Sequence, residues 1–429
     1  MSIYSSMYIG MSGMRTNEHA ITVIGDNIAN MNTIGFKSNR WSFSDMLSHQ
    51  LIGSAGTFEV GQGAMVTGSQ RINLQGALLG TGIATDMAIA GNGYFIAKGS
   101  VSGVESDFYT RAGSFTLDKG GFLVAPGSFR LQGFNSNSTG GVGTSLGDLQ
   151  VGTVTTPPAP TTALDIHVNL DAQAEVQTES FDVAAPEATS AFSSSVTTYD
   201  SLGNAHQLDV YFQKTAAGEW EYHILTQGEE VEGGTSGELT EIMTGTLTFN
   251  TSGQLASHTQ ATNTVTFAGA ESQGIEISFG DALADGGAGN GSTGFGGEST
   301  VDFLQQDGSQ VGLFQFLKVQ QDGTLEGTFS NGQVKTLGRI ALATFKNDSD
   351  LRSVGQNMYA ESELSGEPLI GGADSGGRGE VFDGSLEQSN VDLTSEFTQL
   401  IVSQRGYQAA SKLITTADQM LVETLNLKR

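Results

Sequence analysis

The feature that most constrains this chain is a pair of apolar stripes of helical period, one at each end. Near the N-terminus Met7, Met14, Ile21 and Ile28 stand seven apart, with Met11 and Ile24 in the same stripe. Near the C-terminus Leu386, Leu393, Leu400, Tyr407, Ile414 and Leu421 keep that spacing, and Phe397, Ala410, Ala417 and Leu425 widen the stripe. No proline interrupts the second stripe, and Ser389 and Asn390 precede it as N-cap candidates, so it predicts a helix of about 35 residues and about 50 Å. A helix with one apolar face needs a partner. The economical arrangement pairs the two chain ends in a coiled coil; the alternative is two unrelated surface helices on separate domains.

If the ends pair, the chain leaves and returns, and each intermediate domain combines an early and a late segment. Residues 72–134 and 301–360 both read as antiparallel β with tight turns. A hairpin is expected around Asn92-Gly93 between Ile89 and Ile96, and a turn at Lys119-Gly120-Gly121. Further turns are expected at Asp322-Gly323 and Asn331-Gly332, followed by a strand over Ile340–Phe345. The middle of the chain adds strand candidates at Ser195–Thr198, Leu208–Gln213, Trp220–Ile224, Gly245–Phe249 and Gly274–Phe279. Two biased stretches bracket it, Asn135–Thr162 with its Pro157-Pro158-Ala159-Pro160 run and Gly286–Gly297, and both read as flexible connections. The expected fold is mainly β with α-helical termini: paired N- and C-terminal coiled-coil helices, then nested discontinuous antiparallel β domains. The expected division is 1–71 plus 376–429 as a terminal helical domain, 72–149 plus 300–375 as an inner β domain, and 150–299 as an outer acidic β domain. No repeat of fixed period suggests a solenoid.

Charge narrows the function classes. The chain carries 19 basic and 46 acidic residues, a formal net charge of −27. Between Leu131 and Leu317 there are 23 acidic residues and a single basic one, Lys214. A surface for nucleic acid or an anionic membrane requires clustered Lys and Arg, so both partners are disfavoured. No apolar run approaches the ~20 residues of a membrane helix, and no signal-peptide pattern opens the sequence. Cysteine is absent, which removes disulfides, thiolate metal sites and cysteine nucleophiles.

Reactive constellations are sparse. The histidines His19, His49, His167, His206, His223 and His258 form no H-x-H or H-x-x-x-H pair, and they read as isolated surface or half-buried residues. One G-x-S-x-G match spans Gly143–Gly147, but a nucleophile elbow needs a strand before it and a helix after it, and the surroundings of Ser145 are linker-like. Gly61-x-Gly63 and Gly91-x-Gly93 lack a dinucleotide-binding context. No catalytic, cofactor-binding or metal-ligating residue is assigned, and the chain is read as a non-enzyme. The scattered carboxylates of the middle segment read as a solvated, self-repelling surface.

The remaining conspicuous stretch is Gly25-Asp-Asn-Ile-Ala-Asn-Met-Asn-Thr-Ile-Gly-Phe-Lys37. Read physically it stops a helix: Asn30 and Asn32 tolerate the left-handed conformation of a C-cap, and Gly35 permits a sharp exit. Asn27, Asn30 and Asn32 are also spaced so as to direct amides at neighbouring chains. Gly25–Ser38 closely resembles the N-terminal signature of the bacterial flagellar rod and hook (axial) protein family. Leu386–Leu393, continuing to Gln404-Arg405-Gly406-Tyr407-Gln408, resembles that family's C-terminal signature. Asp86–Phe95, Tyr109–Phe115 and Thr198–His206 are similar to segments of its hook-type members, and the chain length with a full central block favours that type over the shorter rod type.

The resemblance implies a structural subunit of the flagellar hook, a curved flexible tube that joins rod to filament as a universal joint. It implies self-assembly through the terminal helices. Met7, Met11, Met14, Ile21 and Ile28 would pack with Leu393, Phe397, Leu400, Tyr407, Ile414 and Leu421, and Asn27, Asn30, Asn32, Gly35 and Phe36 form the signature. The implied partners are further copies of the chain, a distal rod protein, a hook cap protein, a hook–filament junction protein and the flagellar type III export apparatus. The implied location is extracellular, on the flagellum, without a cleaved signal peptide. The alternatives carried are a distal rod subunit and, in a different class, a secreted surface adhesin.

Overall fold

A computed structural model describes residues 3–426 except 48, 54–55, 102, 138–140 and 153–154. The helices are α1 (Ile3–Ala29), the single turn α2 (Pro186–Thr189) and α3 (Leu393–Asn426), and most of the remaining ordered chain is β-strand. The chain forms two compact units: residues 1–154 with 315–328 and 334–429, and residues 155–314 with 329–333.

In the first unit α1 and α3 lie against each other and run antiparallel. Gly10 faces Ala410 and Ile414, Asn17 faces Gly406, and Asn27 faces Glu396. Small residues set the separation: a Cβ at Gly10 would stand 2.8 Å from Ile414 Cγ1 and 3.2 Å from the Ala410 carbonyl oxygen. The helix start differs from expectation. Leu386 belongs not to the helix but to the strand Ser385–Glu387, and the cap is Asp392, whose Oδ1 accepts from Thr394 N at 2.9 Å. A long hairpin follows α1, pairing Asn39–Asp45 with Ala64–Arg71 and extended by His49–Gly53 against Gly56–Val60. It is fastened to α1 by the Ala64 N–H, which donates to Ser12 Oγ at 3.3 Å.

The β part of this unit interleaves early and late segments, as the leaving-and-returning path requires. Phe129–Ser136 pairs with Val334–Thr344, Met87–Ala90 with Glu380–Asp383, Leu78–Gly80 with Ser385–Glu387, and Val104–Thr110 with Met358–Ala360. The expected Asn92-Gly93 hairpin is replaced by this interleaving: the strands on either side of it each pair with late chain instead of with each other. Two local turns are those read from sequence: Asp118–Gly121 joins Thr116–Leu117 to Leu123–Ala125, and Asn331-Gly332 joins Thr324–Phe329 to Val334–Thr344. The centre is aromatic and aliphatic, with Tyr94, Ile96, Tyr109, Ala341, Ala343, Leu351 and Tyr359 buried together.

The second unit is a five-stranded antiparallel meander and a three-stranded sheet. The meander runs in chain order through Phe192–Tyr199, Ala205–Ala216, Glu219–Gln227, Leu239–Phe249 and Leu255–Gln260. In the smaller sheet Ala163–Asn169 is central, parallel to Glu276–Ser278 and antiparallel to Thr300–Gln306. Inward residues of the sheets, among them Phe212, Trp220 and Tyr222, make one core with Phe267 and Phe279 from the connecting segments. The Gly-rich stretch 286–297 is not a free linker. Ser292 is fully buried, its hydroxyl accepts from Val168 N at 3.1 Å, and Thr293 N donates to the Val168 carbonyl at 2.8 Å. Glycine there serves close backbone approach. Lys214, the one cation of the acidic segment, is also interior: its ammonium donates to the carbonyls of Ala172 and Ala174 at 2.6 and 2.9 Å and lies over Trp220.

Candidate functional site: the locked chain ends

The two signature segments meet. Lys37, buried at the end of the first, donates to Glu387 Oε1 at 2.6 Å and to the Leu74 carbonyl at 2.8 Å. Glu387 is fully buried. Its Oε1 also accepts from Gly76 N at 2.9 Å, and its Oε2 faces Arg111 at 3.4 Å. Burial pulls the Lys37 ammonium below its ordinary lysine value, and the Glu387 carboxylate opposes that pull. The backbone joins in, since Gly35 N donates to the Glu387 carbonyl at 2.8 Å. Gly35 sits at φ +70°, with the Ala112 amide where a Cβ would point, so no other residue fits there without strain. One carboxylate therefore fastens the stop of α1, the exit of the hairpin, the Arg111 turn and the approach to α3.

Two amides complete the lock. Asn390 accepts from Ser38 N at 2.8 Å and donates to the carbonyls of Ile72 and Leu74 at 2.8 and 3.1 Å. The expected helix cap is thus a cross-link between distant backbones. Asn27 exchanges two hydrogen bonds with the Asn39 backbone, both at 2.9 Å, and donates to Glu396 Oε1 at 3.1 Å. Glu396 is buried on the first turn of α3, and burial pushes its carboxyl above the ordinary glutamate value, against the Asn27 hydrogen bond. Its Oε2 has no hydrogen-bond partner, nor has the indole nitrogen of Trp41.

The remaining signature residues divide. Asn27 points inward, Asn30 bonds back to Asp26 and accepts from Thr33, Asn32 is exposed, and Phe36 is half-buried. Neither Asn30 nor Asn32 adopts the left-handed conformation expected of a cap; Gly35 alone of the three does. Of the stripe residues, Met7, Met11, Met14, Ile21 and Ile28 on α1 and Leu393, Leu400, Ile414 and Leu421 on α3 are half-buried, while Phe397 and Tyr407 are exposed. The buried line includes Ile24 and Ala417 of the stripes and otherwise lies beside them, at Gly10, Thr16, Ala20 and Asn27 on α1 and Glu396 on α3. Small and polar residues make up most of it, which hydrophobic periodicity does not mark. α3 leaves Ile401, Val402 and Leu425 exposed at 58%, 65% and 68%, and Tyr4 on α1 is 73% exposed.

The other chemistry considered from sequence takes structural forms. Ser145 lies within the strand Val142–Asp148, with no following helix to make an elbow. His206 and His223 are not isolated. His206 stacks on Phe267 and contacts Glu230 at 3.1 Å and Asp200 at 3.4 Å; His223 stacks on Phe181 and contacts Glu241 at 2.5 Å. Among the described residues no group of three His, Asp or Glu side chains is placed to hold a metal ion, and no helix is long and apolar enough to cross a membrane.

Comparison with known proteins gives this lock its context. Residues 7–37 match the model of flagella basal body rod proteins, and 383–427 match that of the flagellar basal body rod FlgEFG protein C-terminal region. Residues 88–177 match the flagellar hook protein FlgE/F/G D1 domain, and 169–309 match the flagellar basal body protein FlaE D2 domain. The flagellar hook protein FlgE of Treponema pallidum is 33% identical, over 99% of this chain and 99% of its own. The chain belongs to the flagellar hook protein FlgE family. The FlgE of Escherichia coli is likewise 33% identical, over 99% of this chain and all of its own. A crystal structure of the Helicobacter pylori hook protein FlgE2 aligns with 72% of this chain and all of its own, at 17% identity and a TM-score of 0.48. The two end matches cover the segments that Lys37, Glu387 and Asn390 tie together.

Proposed function

We propose that this chain is the building unit of the flagellar hook, polymerising through its terminal helices into a curved, flexible tube that passes torque from rod to filament. The observation that carries this reading is the apolar surface α3 leaves exposed. With α1 packed against it, Phe397, Ile401, Val402, Met420 and Leu425 of α3 remain exposed. Exposed apolar side chains in that number on one helix of a chain of net charge −27 call for further protein. Identical contacts repeated from copy to copy without closing a ring produce an open helical polymer. The half-buried stripe residues, from Met7 to Ile28 and from Leu393 to Leu421, serve in this reading as the inner packing of the tube. The acidic second unit faces the medium, where like charge keeps neighbouring tubes apart. The partners that follow are the distal rod protein, the hook cap, the hook–filament junction protein and the type III export apparatus, with an extracellular location. No catalytic role is proposed.

Immunogold electron microscopy of purified hook–basal bodies, with antibody against residues 160–290, tests this. Label along the curved segment between rod and filament is expected. Label on the straight rod would indicate a rod subunit instead, and an accessible antigen that labels no flagellar structure would bring the surface adhesin forward.

A further inference from the structure

The three-stranded sheet of the second unit ends on an open edge. Thr300–Gln306 is its outermost strand, paired with Ala163–Asn169 on one side and with no strand on the other among the described residues. Such an edge carries a row of backbone N–H and C=O groups able to pair with another chain. The strand has neither the proline nor the lysine that commonly guards an edge. Its register shows which side chains stand there. Leu304 lies opposite Ile166, which is fully buried in the core, yet Leu304 is 39% exposed. Phe303 lies opposite His167, on the other face, with the two rings 5.2 Å apart, and it is 43% exposed. Both faces of the sheet thus end on an apolar side chain that this chain covers only in part. Beside them the register slips at Asp302, the single charged residue of the strand.

We propose that this edge receives an extended segment of a different, basic protein as an added strand, with apolar residues interspersed with Lys or Arg. Backbone pairing supplies the attachment, and the side chains supply the selectivity. Charge selects the occupant. Asp302 stands on the edge strand, and Asp165 and Glu276 on the other two strands of the sheet. The segment Leu131–Leu317 as a whole carries 23 acidic residues against Lys214, which is interior. A second copy brings the same uncompensated charge to the edge and is repelled. A cation near Asp302 is favoured, as opposite charges are in cross-strand positions. The apolar residues and the lysine stems of the incoming strand extend the cover over Leu304 on one face and Phe303 on the other. The inference does not rest on the assembly reading, since the edge belongs to the acidic unit and is open in the single chain.

The test uses the dilute, unpolymerised full-length chain at about 150 mM NaCl, where diffuse attraction to the acidic surface is screened within about 8 Å. The probe is the peptide fluorescein-Val-Lys-Val-Lys-Val-Lys-amide, followed by fluorescence anisotropy. Saturable binding is expected, with hydrogen exchange of the backbone amides in 300–306 slowed in the complex. The same peptide N-methylated at every residue keeps its charge and its side chains but has no backbone donor, and it is expected to bind about tenfold more weakly. Leu304→Lys sets a cation against those of the peptide and is expected to weaken binding about tenfold. Asp302→Asn, a milder change on an exposed side chain, is expected to weaken it about threefold. Equal affinity for the N-methylated peptide, with exchange in 300–306 unchanged, would put the peptide on the acidic surface by charge alone and overturn the proposal. Exchange in 300–306 that slows as the chain is concentrated without peptide would give the edge to a second copy and overturn it too. Absence of binding at about 1 mM peptide would do the same.

Discussion

At Glu387 a single carboxylate answers two cations and a backbone N–H with no water-exposed surface. Its removal strands two buried charges, so Glu387→Ala is expected to cost about 3–5 kcal/mol of first-unit stability in chemical denaturation. Glu396 is the opposite case, a carboxyl that burial has made harder to ionise. Its folded form holds the proton to higher pH than its unfolded form, so its contribution to stability is full in acid and declines as pH rises through the folded value. Glu396→Gln keeps the Asn27 contact and removes the charge. It is expected to melt at a higher temperature than the parent at pH 7, with the difference vanishing below about pH 4. Neither residue was legible in the sequence as a site. Glu387 and Lys37 both stand inside recognisable signatures, but their pairing spans 350 positions, and no local pattern reports which distant charge answers which.

At the scale of elements, legibility followed period and turn chemistry. The terminal helices were readable because a seven-residue apolar spacing has few other physical meanings, and the Asn331-Gly332 turn because its conformation suits few other residues. What escaped was the face that actually goes inside. Gly10 and Thr16 are not apolar markers, yet both are buried, and Gly10 permits the close approach of α1 to α3. Gly10→Leu is accordingly expected to separate the helices, abolish assembly and lower helical circular dichroism while the acidic unit keeps its melting transition. The Asn92-Gly93 hairpin failed because its two strands found other partners: Met87–Ala90 pairs with the late strand Glu380–Asp383, and Tyr94–Val101 with Val104–Thr110. Likewise the 286–297 stretch looks flexible by composition, but its small residues are what lets the backbone be threaded between strands.

At the scale of the molecule, charge and topology divide the labour. The second unit has Lys214 as its sole basic residue, and that residue is committed to the interior, so its surface acidity is uncompensated. Repulsion of this kind is screened over about 10 Å at 0.1 M salt. Raising NaCl from about 10 to about 150 mM is therefore expected to lower the critical concentration for assembly, as measured by sedimentation. The interleaving of the first unit also sets a timetable. Residues 155–314 supply nearly all of the second unit in one continuous run, whereas Lys37 and Ser38 must wait for Glu387 and Asn390. A chain that appears in space from one end completes the acidic unit while its first residues still lack partners. The lock closes last, and only on a chain that has arrived whole, so a truncated copy announces itself by an open clasp.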